Sequence, residues 1–139
     1  MKISAKAEYA CLAVLALARL ELDTSPVHIR QISDAYAIPE RYLVQILLQM
    51  KRAGLVASTR GASGGYRLAR EASAITLGQV ISAVDGPERP RRNTNGTKPA
   101  ATSVLESVWD DVRAAEQAVL HRTNFAQLAE QTVAHDWTI

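Results

Sequence analysis

One stretch of the 139 residues constrains the fold more than any other: Ile38 to Leu68, IPERYLVQILLQMKRAGLVASTRGASGGYRL. Pro39 suits the first turn of a helix, where it has no N–H to lose. Leu43, Ile46, Leu47 and Met50 then recur as the apolar stripe of that helix, with Arg41, Tyr42, Gln45, Gln49, Lys51 and Arg52 between them. Gly54 predicts the stop, as a residue free to take positive φ just past the last turn. Leu55-Val56-Ala57 reads as a short strand, Arg60 to Gly65 as a tight flexible tip, and Tyr66-Arg67-Leu68 as the returning strand. A helix followed by a hairpin with a Gly-rich, Arg-bearing tip is the pattern of a recognition helix and its wing.

Charge points the same way. From Ile38 to Arg70 the cations are Arg41, Lys51, Arg52, Arg60, Arg67 and Arg70, against Glu40 alone, a net +5. The whole chain carries +2, so the remainder sums to −3. A local positive field of this kind attracts phosphate. Charge alone leaves open a solvated surface helix with a loop beside it. Helix, wing and charge in this order point to nucleic-acid binding.

The elements on either side complete a small core. Ser4 is a candidate N-cap for a helix running to about Leu20, whose apolar positions (Tyr9, Ala10, Leu12, Ala13, Leu15, Leu17, Leu20) wrap most of its circumference. Such a helix is packed on several sides. Lys2 and Lys6 flank its start. Thr24-Ser25-Pro26 reads as a turn and Val27-His28-Ile29 as a short strand. A second helix, from Ile29 or Arg30 to Ala37, ends at Ile38-Pro39 because a residue before Pro avoids the helical region. Short helix, tight break and longer basic helix make a helix-turn-helix. Ala72 to Gly86 holds a further helix, capped by Thr76 and striped by Leu77, Val80, Ile81 and Val84.

Pro87 to Pro99 breaks the composition, with three Pro, no apolar side chain, and Arg89, Arg91, Arg92 and Lys98 against Glu88. It reads as a mobile surface loop. Thr102 or Ser103 then caps a long helix in which Leu105, Val108, Val112, Ala115 and Val119 recur at coiled-coil spacing. Val104, Trp109 and Leu120 widen that stripe. The stripe either lies on its own domain or pairs with its twin in a second copy, and the second reading is preferred because the first four elements already close a core. Asn124 to Ala134 reads as a short closing helix, with Phe125, Leu128, Ala129 and Val133 facing in. From Thr102 onward six acids face two cations, a net −4, so this half is expected to face away from DNA.

The expected architecture is mainly α with a small β-hairpin wing: a winged helix-turn-helix plus a long C-terminal dimerisation helix. The expected units are residues 1–86 for DNA binding, 87–101 for a basic loop, and 102–139 for dimerisation. No run of about 20 apolar residues exists to span a membrane. The run from Ala10 to Ala18 lacks the cleavage site of a signal peptide, and a lone Cys fits a reducing compartment, so a cytoplasmic protein is expected. No Ser–His–Asp set, metal motif or phosphate-binding loop is evident, and an enzyme is not expected.

Several segments together resemble the Rrf-two family of bacterial winged-helix repressors and activators. They are Met1-Lys-Ile-Ser4, Ala7-Glu-Tyr-Ala10, Ile38-Pro-Glu-Arg-Tyr-Leu43, Lys51-Arg-Ala-Gly-Leu-Val56, Arg60-Gly-Ala-Ser-Gly-Gly-Tyr66 and Ile75-Thr-Leu-Gly-Gln-Val-Ile-Ser-Ala-Val-Asp-Gly86. The family includes iron–sulfur-cluster, nitric-oxide-sensing and cysteine-metabolism regulators. The resemblance implies a homodimer joined by its long C-terminal helix and bound to a partly palindromic operator on double-stranded DNA. The resulting DNA-binding set is Lys6, Arg30, Arg41, Tyr42, Gln45, Arg52, Arg60, Gly61, Ser63 and Arg67. Arg can fork onto guanine, Gln can bridge adenine, and Arg60 on its Gly-flanked tip suits a narrow minor groove. Val44 stands where cluster-binding relatives can carry a polar base-reader, and suits a thymine methyl instead. The expected dimer interface is Leu105, Val108, Trp109, Val112 and Val119.

The sequence also departs from the family pattern. Many members hold an iron–sulfur cluster on three cysteines between the Val-Asp-Gly run and the long helix. Pro87 to Ser103 has no Cys and no His here, and such clusters need soft thiolates. No cofactor and no metal site are therefore expected, and the signal would be a small-molecule effector or a regulatory protein. The leading function is a cluster-free transcriptional regulator, a repressor in the first reading. The alternative is a protein-interaction or redox-sensing module of the same fold, using Cys11 or an atypical cluster on Glu8, Cys11 and His28. Against it, Cys11 reads as a small buried hydrophobe and His28 as a surface residue.

Overall fold

The computed structural model describes residues 2–20, 26–62, 64–87, 96 and 98–137, the last two of these by backbone alone. Helix α1 spans Ala5–Leu20, α2 Ile29–Tyr36 and α3 Glu40–Arg52. Strands β1 (Val56–Thr59) and β2 (Gly65–Leu68) form the hairpin, and a 3₁₀ turn at Ala72–Ala74 leads into α4 (Leu77–Asp85). The chain ends in α5 (Ala100–Arg122) and α6 (Phe125–Trp137). The mainly helical architecture with a two-stranded wing is the one expected from the sequence.

Helix α1 is the centre of the packing. It touches α2, α3, α4, α6 and β2, and its buried residues are mostly small: Ala7, Ala10, Ala13 and Ala16, with Val14 and Leu17. Small side chains let several helices approach one backbone closely. Ser4 caps it as expected: its Oγ accepts from the Ala7 N–H at 3.0 Å. The same hydroxyl donates to the Asp85 carboxylate at 2.7 and 2.9 Å, tying the start of α1 to the end of α4.

The helix-turn-helix break is built from three residues. Ala37 takes a left-handed φ of 53°, Ile38 is buried, and Pro39 starts α3. The Ile38 N–H donates to the Ser33 carbonyl at 3.1 Å, and Ser33 Oγ donates back to the Ile38 carbonyl. Pro39 sits at the N-cap, one residue before the first helical turn where it was expected. Its carbonyl instead accepts from the Tyr42 and Leu43 amides of α3. Gly54 closes the helix at φ 77°.

The wing pairs Val56 with Leu68, Ala57 with Arg67, Ser58 with Tyr66 and Thr59 with Gly65, antiparallel. Val27 adds a single bridge to Tyr66, with N···O distances of 2.8 Å in both directions. This bridge is what remains of the expected strand at residues 27–29, since α2 already begins at Ile29. A side chain at Gly65 would stand 2.5 Å from the Val27 carbonyl oxygen, so only Gly allows the third segment to approach.

Two expectations about the C-terminal half change. Helix α5 starts at Ala100, ahead of the expected Thr102 or Ser103 cap, because the Pro99 carbonyl already accepts from the Thr102 and Ser103 amides. Helix α6 buries Phe125 fully and Leu128 and Ala129 partly, but Val133 is exposed at 45%. The α5–α6 junction is laced to the start of α4: the Leu77 amide donates to the Thr123 carbonyl at 3.0 Å, and the Phe125 amide to the Ile75 carbonyl at 3.1 Å. Among the described residues, no helix is long and apolar enough to cross a membrane.

Candidate nucleic-acid interface

Helix α3 uses one face for the core and leaves the other open. Leu43, Ile46, Leu47 and Met50 are fully or almost fully buried. With about 3.6 residues per turn, Arg41, Gln45, Leu48 and Arg52 then share the opposite meridian, and all four are exposed. Val44 and Lys51 lie on one flank of it and Tyr42 on the other, all exposed. Gln49 turns its amide inward, where its Oε1 is buried without a hydrogen-bond partner. The outward face is therefore cationic at both ends, amide-bearing in the first turns, and apolar at Val44 and Leu48.

The wing lies at the C-terminal end of this face. Lys51 Nζ donates to Ser58 Oγ on β1 at 2.6 Å, linking helix to wing. Arg60 and Gly61 are exposed at the tip, where Gly61 has φ 108°, and Arg67 is exposed on β2. Ser63 lies outside the described residues, as do Arg89, Arg91 and Arg92 of the basic loop.

The N-terminal arm comes to the same face. Ala5, Lys6 and Tyr9 of α1 meet Tyr42, Gln45 and Ile46 of α3 around a cleft of about 450 Å³. Lys6, Tyr42 and Gln45, separated in sequence, are thus neighbours in space. By sequence Tyr9 belongs to the apolar wrap of α1, yet its ring stands 6.5 Å from that of Tyr42, tilted by 34°. The pair holds Tyr42 at the mouth of the cleft, within the range of aromatic contact. No sequence signal separated Tyr9 from the other apolar positions of α1. Leu48 is also outward, as its helical spacing from Arg41 and Gln45 requires. Arg30 stands apart from the rest: its Nε is 3.8 Å from Glu40 Oε1, an exposed pair that a competing phosphate can displace.

The apolar stripe of α5 is a second exposed surface. Leu105, Val108, Trp109, Val112 and Val119 are all exposed, between 44% and 53%, and only Leu120 of this helix is buried. Trp109, Val112, Arg113, Glu116 and Leu120 line one side of a cleft of about 490 Å³ whose other wall is Gly78, Ile81 and Ser82 of α4.

The sensor residues considered in the sequence do not form a metal site. Among the described residues, no group of three His, Cys, Asp or Glu side chains could hold a metal ion. Glu8 and His28 are exposed, and the His28 amide donates to Gln31 Oε1 at the start of α2. Cys11 is half-buried against the core, and its thiol is pushed up to about 11, first by burial and then by the charges of Glu8 and Asp85. A protonated thiol is a poor ligand and a poor nucleophile. With one Cys in the chain, the donor set does not fit an iron–sulfur cluster.

A helix-turn-helix, a wing linked to it, and an exposed face with cations at both ends are the parts of a DNA-binding transcriptional regulator of the winged-helix class. The chain belongs to the Rrf2 family, described as "Iron-dependent Transcriptional regulator", whose model matches residues 3–131. It is 35% identical to the HTH-type transcriptional regulator CymR of Bacillus subtilis over 132 residues, covering 95% of this chain and 92% of that one. It is 48% identical to the HTH-type transcriptional regulator IscR of Vibrio atlanticus over 85 residues, covering 61% of this chain and 49% of that one. The solved structure of B. subtilis CymR, titled the global cysteine regulator of that organism, superposes with a TM-score of 0.82 at 34% identity, covering 94% of this chain and 98% of that one.

Proposed function

We propose that this protein is a cytoplasmic, homodimeric, cluster-free repressor that binds a partly palindromic operator. The observation that carries the proposal is the division of the molecule into two uncovered faces of opposite character. One is cationic, on α3 and the wing; the other is apolar, on α5. Residues 1–86 read DNA, 87–101 connect, and 102–139 hold the dimer. Arg41, Tyr42 and Gln45 enter the major groove, and Arg60 with Gly61 reaches the minor groove. Lys6, Arg30, Arg52 and Arg67 meet phosphate. Leu105, Val108, Trp109, Val112 and Val119 pair with their counterparts in the second copy. The mismatch between the donor set and a cluster supports a signal of another kind, a small molecule or a partner protein.

Titration of the purified protein on the DNA upstream of its own gene, against random duplex and at several salt concentrations, tests the DNA-binding part. A sequence preference of at least about 10³-fold is expected, with affinity falling steeply as salt rises. Equal affinity for both duplexes sinks the proposal.

A further inference from the structure

On the outward face of α3, the side chain in the middle is Leu48, exposed at 45%, and beside it lies Val44, exposed at 50%. They are one helical turn apart. Arg41 and Gln45 lie N-terminal of Leu48 on the same meridian, and Arg52 lies C-terminal of it. Both are about half exposed, while the reverse side of the same helix fills the core. Phosphate attraction alone gives no reason for two branched apolar groups at the centre of a cationic face. Water covers them at a cost proportional to their area.

We propose that Val44 and Leu48 form an apolar reading patch for the C5-methyl groups of two thymines in the major groove. This rests on the reading of α3 as the recognition helix. The thymine methyl is the one apolar group that base edges present there. The two side chains are spaced about 6 Å along the helix axis, and successive bases of one strand are about 3.4 Å apart. The two thymines therefore lie within two base steps of each other in each half-site. The cations at the ends of the face hold the helix in register, and the methyl contacts discriminate.

The test uses the full chain and a duplex selected from a random library by its binding. Each thymine of the half-site is replaced in turn by deoxyuridine, which deletes the methyl and keeps every hydrogen-bonding edge. Burial of one methyl-sized group corresponds to roughly fourfold in affinity, from about 0.8 kcal/mol. A loss of that size is expected at two thymines no more than two steps apart. Val44→Ala should remove the sensitivity at one of them and Leu48→Ala at the other. Indifference of the parent protein to every replacement overturns the patch while leaving DNA binding standing. Failure to select any sequence overturns the recognition-helix reading and the patch with it. A Val44→Ser, Leu48→Ser double variant should sediment at the parent's mass without DNA. A smaller assembly would make the patch a protein interface and overturn the inference.

Discussion

Helices α3 and α5 both carry apolar stripes, and the protein treats them in opposite ways. In 13 residues, α3 buries Leu43, Ile46, Leu47 and Met50; in 23 residues, α5 buries Leu120 alone. The stripe of α3 is satisfied within its own chain, so its other face is free for charge. The stripe of α5 stays exposed within its own chain, and the proposed dimer covers it. On the proposed dimer, burial in α3 belongs to folding and burial in α5 to assembly. Substitutions in the two helices should therefore fail in different ways.

The largest expected effect is in α3. Leu47→Ala leaves a cavity in the core and should cost about 2–5 kcal/mol of unfolding free energy. That loss should be the same at every protein concentration, as checked by denaturant titration. Val112→Asp, in the exposed stripe of α5, should leave helical content intact but shift the assembly toward monomer in sedimentation. Operator affinity should then fall by about 10²-fold, because the second reading head is no longer tethered to the first. A Val112→Asp protein that stays dimeric would return the α5 stripe to its own chain and remove the contrast. Next in size, Arg60→Ala should weaken operator binding about tenfold without changing stability, and reduce the salt slope by about one.

The smallest effect concerns Cys11. Its thiol stays protonated in the fold up to about 11, whereas 9.0 is the ordinary value. The raised value favours the protonated form in the native state. Its contribution to stability is complete below pH 9.0 and is lost as the pH climbs toward 11. Cys11→Ala should flatten the stability profile in that window, and alkylation of the native thiol should stay slow at neutral pH. Rapid alkylation at neutral pH would revive the redox-sensing alternative.

The periodicity of α3 and α4, the Gly-rich tip and the Thr76 cap were legible because each rests on contacts a few residues apart. The Thr76 capping box forms as its spacing requires, with the Gln79 amide donating to Thr76 Oγ1. The contacts that were not legible are long-range. The Tyr9–Tyr42 pair and the Val27 bridge to Tyr66 depend on how separate elements come to rest against each other. Gly78 gives another case: a Cβ there would stand 2.8 Å from the ring of His121, which comes from α5 to lie against α4. In the sequence it is only a small residue inside a helical stripe. The start of α5 was misplaced because Pro99 offers its carbonyl as a cap, and a polar side chain at Thr102 or Ser103 is a more visible signal than a carbonyl.

The coupling of the two helices is what most needs a direct measurement. Binding stoichiometry and affinity, read by sedimentation and titration on a duplex carrying both half-sites and on one carrying a single half-site, test it. Two reading heads joined through α5 give two chains per full duplex, and a loss of about 10²-fold on the single half-site. One chain per duplex, with equal affinity for both DNAs, contradicts it.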